Sequence, residues 1–190
     1  MAIAKDFVLV GRLCLDLVHT GDMGYGSAFE RLTVPSELRR WLSLCPLRLT
    51  MVKTTTGDLE QTKRLRGAVW RVANAILDHA APAAADVRLI NGMACRPGLA
   101  RELDSDVKSM RWHPPTVDLA LLEIVQDAVL LFGDRVQRAR LGRCENPGEC
   151  RSIFYDHSRP SKRRWCASNH CGDRMCARLY RRRRSVGEFG

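Results

Sequence analysis

Five of the eight cysteines in this 190-residue chain lie within residues 144–176, and four of them form two closely spaced pairs. The first pair encloses five residues that include a turn-forming Pro-Gly, and the second pair encloses four residues. Fifteen residues separate the pairs. Two short-spaced pairs at this distance are typical of a metal site, because four thiolates complete the tetrahedral shell of zinc. We therefore predict one structural Zn²⁺ with four ligands: Cys144, Cys150, Cys166 and Cys171.

A disulfide framework is the alternative explanation for an even number of cysteines. The N-terminal stretch MAIAKDFVLVGRLCLDL contains Asp6, Arg12 and Asp16, and these charges interrupt what would be the apolar region of an export signal. We expect a cytoplasmic, nucleoid-associated protein, whose thiols stay reduced, and this compartment favours zinc. Three other side chains of the segment compete as ligands: Cys176, His157 and His170. We expect Cys176 to be a packed thiol of the last helix and both histidines to be exposed imidazoles.

Positive charge is concentrated in the same part of the chain. Residues 1–134 contain 16 basic and 16 acidic side chains, whereas residues 135–184 contain 15 basic and 4 acidic ones. The net charge of +10 therefore comes from the last quarter of the sequence. This asymmetry indicates a neutral body joined to a basic module that meets a polyanion. We predict a body at residues 1–134, a basic finger at 135–184 and a tail at 185–190.

The basic side chains of the finger are candidates for contacting nucleic acid. Arg174, Arg178 and Arg181 recur at i, i+4 and i+7, which places them on one stripe of a helix. Arginine suits both phosphate oxygens and guanine edges, and we assign base edges to Arg174 and Arg178. Arg164 projects from the finger as well. Phosphate contacts are assigned to six side chains: Arg151, Arg159, Lys162, Arg163, Arg181 and Arg182.

The segment between the cysteine pairs must position these groups. Residues 153–155 are a short β-prone run, residues 158–161 are rich in turn formers, and Arg164-Trp165 leads back to the second pair. This order predicts a hairpin between two cysteine knuckles. Gly172-Asp173 can open a helix, with the Asp173 carboxylate at its positive end. The layout is that of a treble-clef-like finger, whose small core leaves much of the folding energy to the metal.

The body is expected to be mostly helical. Thr55 and Asp58 have capping-box spacing ahead of an apolar stripe, and Pro82 ends that helix. Thr116 caps a second helix, which Gly133 ends. The predicted inward positions of the first helix are Leu65, Val69, Val72 and Ile76, and those of the second are Val117, Leu121, Ile124, Val125 and Ala128.

The remaining elements of the body are shorter. A helix is predicted with Ser36 as its N-cap, and another is predicted over Ala84–Cys95. A hairpin is predicted over Leu99–Trp112, whereas residues 7–19 fit either a strand pair or a strand–turn–helix. The fold class predicted for the whole chain is mostly α with minor β structure, a helical body followed by a small zinc finger.

The sequence FYDHSRPSKRRWCASNHCGDR resembles the signature of the CGNR zinc-finger family, in which F-[LY]-D-x-S-R-x-x-x-R-R-W-C leads into C-G-N-R. The earlier segment VGRLCLDLVHT resembles the opening of the ABATE domain that precedes this finger. The resemblance implies a stress-induced bacterial transcription regulator with a DNA-binding finger. It matches the four paired cysteines to the zinc ligands, and Gly172 and Arg174 to the glycine and arginine of the motif.

Three positions depart from this family pattern. Asp173 stands where the motif has asparagine, which puts a negative charge beside the basic surface. The first knuckle is one residue longer than usual, and Cys176 stands where a lysine is common.

The function predicted from these observations is zinc-dependent DNA binding by a transcriptional regulator, whose body provides sensing of a small ligand or homodimerisation. An RNA-binding or ribosome-associated zinc protein and a protein-interaction module with structural zinc remain the alternatives. An enzyme is disfavoured, because four thiolates leave no open position on the metal for water. No apolar run reaches the length that a bilayer requires, so no membrane partner is expected.

Overall fold

The computed structural model describes residues 7, 9–21, 30–50, 52–95, 100–103, 108, 110–113, 116–146, 150, 152–166, 171–173, 176 and 177. Within these residues the helices are α1 (Leu13–Val18), α2 (Pro35–Leu44), α3 (Thr56–Leu77), α4 (Ala84–Ala94), α5 (Val117–Gly133) and α6 (Arg135–Arg138). The strands are β1 (Ala100–Leu103), β2 (Met110–His113), β3 (Leu141–Arg143) and β4 (Ile153–Tyr155). The predicted class, mostly α with minor β, is confirmed.

The core of the body lies between α1, α3, α4 and α5, each of which packs against at least two of the others. Helix α5 is apolar on most of its surface and has eight buried side chains. All five of its predicted inward residues are buried, whereas Ile76 of α3 is only partly buried. Apolar spacing therefore identified the buried face of both long helices.

Local hydrogen bonds explain where α3 and α5 begin. The Thr55 backbone N–H donates to Asp58 Oδ2 at 2.7 Å, and the Asp58 N–H donates to Thr55 Oγ1 at 3.2 Å, which is the predicted reciprocal cap. Thr116 Oγ1 accepts from the Leu119 N–H at 3.3 Å, which confirms it as the cap of α5. Helix α3 ends at Leu77, ahead of the predicted stop at Pro82.

The prediction that Ser36 caps α2 is wrong. Helix α2 begins one residue earlier, at Pro35, whose fixed φ suits the first helical position, and the N-cap is Val34. Valine offers no side-chain acceptor, so the Glu37 N–H donates to the Val34 backbone carbonyl at 3.0 Å, and the Glu37 side chain holds the residues before the helix. Its carboxylate accepts the backbone N–H groups of Thr33 at 2.5 Å and Val34 at 3.2 Å.

Both sheets are antiparallel hairpins, but only one was predicted with the right partner. Strands β1 and β2 pair with Ala100 opposite His113, as the sequence indicated. Strand β4 pairs with β3, which precedes the first cysteine, and not with the segment that leads back to Trp165. The predicted hairpin between the knuckles is therefore wrong. Gly142 lies opposite Phe154, and a Cβ at this position would press against the Phe154 ring, so glycine permits the pairing.

The finger packs directly against the body. Arg143 of β3 donates to Asp78 Oδ1 at 2.9 Å and to Asn74 Oδ1 at 2.8 Å, and both acceptors lie at the end of α3. On the other side, α1 contacts β4. The buried residues of β4 and three of the finger cysteines belong to the same hydrophobic core as the helices of the body.

Candidate metal centre

The four paired cysteines converge on one point in the finger. Their sulfur atoms all lie within 4.8 Å of one another, and the other residues of the chain that the structure describes form no further cluster of this kind. Cys150 Sγ and Cys171 Sγ each lie 3.6 Å from Cys166 Sγ. All four are free thiols, and Cys144, Cys166 and Cys171 are buried while Cys150 is half-buried.

These distances fit a tetrahedral zinc ion. A disulfide would bring two sulfur atoms to about 2.05 Å, which is far shorter than the separations in this cluster. Zinc bound by thiolates at about 2.3 Å places the sulfur atoms of a regular tetrahedron about 3.8 Å apart. The separations of 3.6 Å are close to that value. The protein thus has one structural zinc site, with a ligand set that is closed to water.

The backbone around the cluster holds both knuckles against the sheet. The Cys144 N–H donates to the Ser152 carbonyl at 2.9 Å and so extends the β3–β4 pairing to the first ligand. The Glu145 N–H donates to the Arg164 carbonyl at 3.0 Å, which joins the first knuckle to the segment before the second. Residues 171–173, 176 and 177 are helical, as expected after the last ligand.

Hydrogen bonds near the sulfur atoms favour thiolate at one ligand. The close contact between the Cys150 and Cys166 sulfur atoms lowers the pKa of Cys150 and raises the pKa of Cys166. Burial raises the pKa of Cys171, and the side chain of Asn146 opposes this rise. Asn146 is buried, and its Nδ2 has no hydrogen-bond partner among the described residues. A dication at the centre replaces these shared protons.

Arg163 and Arg164 make contacts inside the finger. Arg163 Nε donates to the Trp165 carbonyl at 2.7 Å, its terminal nitrogen donates to the Cys166 carbonyl, and its guanidinium lies 4.9 Å from the Phe154 ring centroid. Arg164 Nε donates to Glu145 Oε2 at 2.6 Å. These contacts brace the backbone at the third ligand.

Arg159 and Lys162 are the predicted phosphate contacts that the structure leaves exposed on the turn before Arg163. Asp156 fixes this turn by accepting the N–H groups of Ser158 at 2.8 Å and Arg163 at 2.9 Å. Five further predicted nucleic-acid contacts lie outside the described residues: Arg151, Arg174, Arg178, Arg181 and Arg182. The competing ligand His170 lies outside them as well. Cys176 lies outside the sulfur cluster, and the prediction that it is a packed thiol is wrong, because it is exposed.

Sequence patterns did not reveal the residues that join the finger to the body. The ring of His19, at the end of α1, hydrogen-bonds the Ile153 carbonyl at 2.8 Å, and burial lowers the pKa of His19. His157 is exposed, as expected, and its Nε2 lies 3.2 Å from the Gly11 carbonyl oxygen. These partners are more than 130 residues apart in the chain, and no local spacing relates them.

The fold and the sulfur cluster together define a helical protein with a structural four-cysteine zinc finger. A model of the family described as "Putative stress-induced transcription regulator", ABATE, matches residues 11–135, and a model described as CGNR zinc finger matches residues 140–184. The chain belongs to the ABATE family and carries a CGNR finger. Neither description names an enzyme. A search of the curated proteins finds no match.

Proposed function

We propose that this protein is a transcriptional regulator that binds DNA through its zinc finger. The observation that carries the proposal is the charge of residues 135–184, which contain 15 basic and 4 acidic side chains around a closed metal site. Such a density of cations is suited to neutralising phosphates. The family description of the body as a regulator supports the same conclusion. Under this proposal the zinc is structural, and residues 1–134 serve for sensing or homodimerisation.

The turn at residues 158–162 offers the best described contact surface. Arg159 and Lys162 are exposed on it, and within the part of the chain that the structure describes neither has a hydrogen-bond or ion-pair partner. Arg163 is held by carbonyl groups of the finger, so we assign it a positioning role beside its predicted phosphate contact. The predicted base contacts of Arg174 and Arg178 remain part of the proposal.

DNA is favoured over RNA by the state of the aromatic side chains. Recognition of unpaired RNA relies on exposed rings on which bases stack. Tyr155 is buried, and its hydroxyl donates to Gln137 Oε1 at 2.7 Å. Trp165 is half-buried beneath Arg164, whose guanidinium lies 5.1 Å from its ring centroid. The described finger therefore presents cations more than stacking surfaces.

The double variant Arg159→Gln/Lys162→Gln tests this assignment. Affinity for a mixed-sequence 30-base-pair duplex is measured by fluorescence anisotropy over a series of salt concentrations. Loss of two phosphate contacts should reduce the slope of log affinity against log salt by about 1.8. Lys53→Gln/Arg88→Gln, which removes two exposed cations of the body, is the matched control and should leave the slope unchanged.

Two results would contradict the proposal. One is an equal effect of both double variants, which would mean that overall charge, and not this turn, governs binding. The other is stronger binding to a single-stranded RNA of the same length, which would favour the RNA-binding alternative.

A further inference from the structure

Helix α6 lies at the start of the basic segment 135–184, and most of it falls between the ranges of the two family models, so the finger is taken as residues 140–184. The ABATE model ends at residue 135 and the finger model begins at residue 140. The helix has no buried residue, so it does not serve the core. It lies beside the finger and hydrogen-bonds to it.

Side-chain hydrogen bonds join α6 to the finger. Gln137 of α6 accepts the Tyr155 hydroxyl of β4 at 2.7 Å. Arg140, just after the helix, donates to the carbonyl groups of Asp156 at 2.9 Å and Ser158 at 3.1 Å. On the other side, Arg138 donates to the Phe132 carbonyl at the end of α5. The bonds of Gln137 and Arg140 connect the helix to the segment that carries the basic turn.

A cleft of about 490 Å³ lies between α6 and the basic turn. It is lined by Arg135, Val136, Ala139, Arg140 and Ser161. Ser161 has a left-handed backbone, with φ of 46°, which is uncommon for a residue other than glycine. This conformation stores strain at the wall of the cleft, as is common where a ligand is held.

The groups that face the cleft are cationic or neutral. Arg135 is exposed, and among the described residues its guanidinium has no hydrogen-bond or ion-pair partner. Arg140 also lines the cleft, and its Nη1 donates to two carbonyl groups of the finger. Helix α6 itself carries no carboxylate, and that of its N-cap, Asp134, has its Oδ1 engaged by the N–H groups of Val136 at 2.6 Å and Gln137 at 2.9 Å. An anion in the cleft would therefore meet two arginines.

We propose that this cleft binds a phosphate of the DNA backbone, so that the DNA-contacting surface extends from the finger onto α6. The proposal rests on the proposed DNA-binding function. Arg135 contacts the phosphate from α6, and Ser161 offers its hydroxyl from the turn that also carries Arg159 and Lys162. A phosphate at the junction fixes the direction in which the duplex crosses the molecule, because phosphate contacts set register and orientation.

The variant Val136→Glu tests the cleft directly. Val136 is 66% exposed, so a glutamate there disturbs no packing and is favourable near a helix N-terminus. Its carboxylate at the cleft should repel phosphate and lower the affinity for a mixed-sequence 30-base-pair duplex about fivefold at low salt. Val87→Glu is the matched control, since Val87 is 37% exposed on α4 in the body and should change the affinity less than twofold.

Arg135→Gln provides a second variant that adds no charge repulsion. It should reduce the slope of log affinity against log salt by about 0.9, the loss of a single phosphate contact. Zinc content and thermal unfolding, measured on every variant, confirm that each one folds.

The outcomes separate this proposal from the proposed function. If the wild-type protein binds no duplex, the proposed function fails and the inference fails with it. If the wild-type protein binds while Val136→Glu equals Val87→Glu and Arg135→Gln keeps the wild-type slope, only the cleft assignment is overturned. If Val136→Glu weakens binding to RNA and leaves DNA binding unchanged, the assigned partner is wrong.

Discussion

Cys166 is the central ligand of the finger, because its sulfur atom lies 3.6 Å from two other cysteine sulfurs. Cys166→Ser removes one thiolate from a closed ligand set, so the protein should fall from about one zinc per chain to well below that value. Mass-spectrometric metal analysis of chelator-free protein measures the change. Cys176→Ser is the matched control, since Cys176 is an exposed thiol of the same module and should keep its zinc. Equal zinc in both variants would contradict the four-cysteine site.

Among the carboxyl groups in the described part of the body, Asp16 has the most strongly shifted pKa. It is almost fully buried, and although its Oδ1 accepts the Val10 N–H at 2.5 Å, its Oδ2 has no partner. Burial raises its pKa from the ordinary value of 3.8 to about 7, and the nearby carboxylate of Asp127 adds to the rise. The folded protein thus holds a proton here that the unfolded chain releases near pH 4.

Because of that retained proton, the free energy of unfolding should fall as the pH rises from about 4 toward 7. The contribution of a group with this shift is roughly 4 kcal/mol at most. Asp16→Asn should lose the pH dependence that lies between about pH 4 and pH 7, measured by urea unfolding in zinc-containing buffer. Asp118→Asn, which alters an exposed carboxylate of α5, serves as control and should keep the wild-type dependence. An unchanged dependence in Asp16→Asn would refute the assignment.

At the scale of single residues, the sequence predicted the metal ligands because cysteine spacing reports directly on coordination chemistry. It did not predict the state of the arginines. Arg163 and Arg164 were predicted to contact nucleic acid, and the structure shows that both also donate hydrogen bonds to groups of the finger. Whether an arginine side chain is exposed to solvent or hydrogen-bonds a carbonyl depends on the path of the backbone. That path changes at the turn before Arg163, where Ser161 has a left-handed conformation.

Among the elements, α1 docks on the finger through a glycine. Gly11, just before the helix, has a φ of 90°, and a Cβ at this position would overlap the His157 ring. Gly11→Ala should therefore lower the free energy of unfolding by about 2 kcal/mol, since left-handed strain and a steric clash act together. Gly92→Ala in α4, where a Cβ meets open space, should instead be neutral or stabilise the protein by up to about 1 kcal/mol.

Chemical denaturation of both alanine variants measures these changes. Equal stabilities of the two would show that the close approach of Gly11 to the finger does not exist in solution.

Elements with strong local signals were predictable, and those set by distant pairing were not. Thr55 and Thr116 predicted where α3 and α5 begin, because a helix cap and an apolar stripe can both be recognised in the local sequence. Strand β3 has three residues and carries no signal of its own, so its pairing with β4 could not be read from the sequence. Helix α6 is a single turn with no buried residue, and an apolar pattern cannot reveal it.

For the whole molecule, the structure shows that the basic module is packed against the body and is not a separate appendage. Its charge made it resemble an appendage, but β4 and three of the zinc ligands share a core with the helices of the body. Because metal binding contributes to the folding of such a site, occupancy of zinc should also stabilise the contacts with α1 and α3. The basic surface on the turn and on α6 is then held in place only in the zinc-loaded protein.

The most direct test of this account is the affinity of the full chain for duplex DNA, measured by fluorescence anisotropy over a salt series before and after zinc removal. We predict binding by the zinc-loaded protein, with a log–log salt slope of about −3 or steeper, as three or more phosphate contacts require. Removal of zinc should abolish this binding to duplex DNA. Absence of binding at low salt, or binding that survives the loss of zinc unchanged, would contradict the central claim.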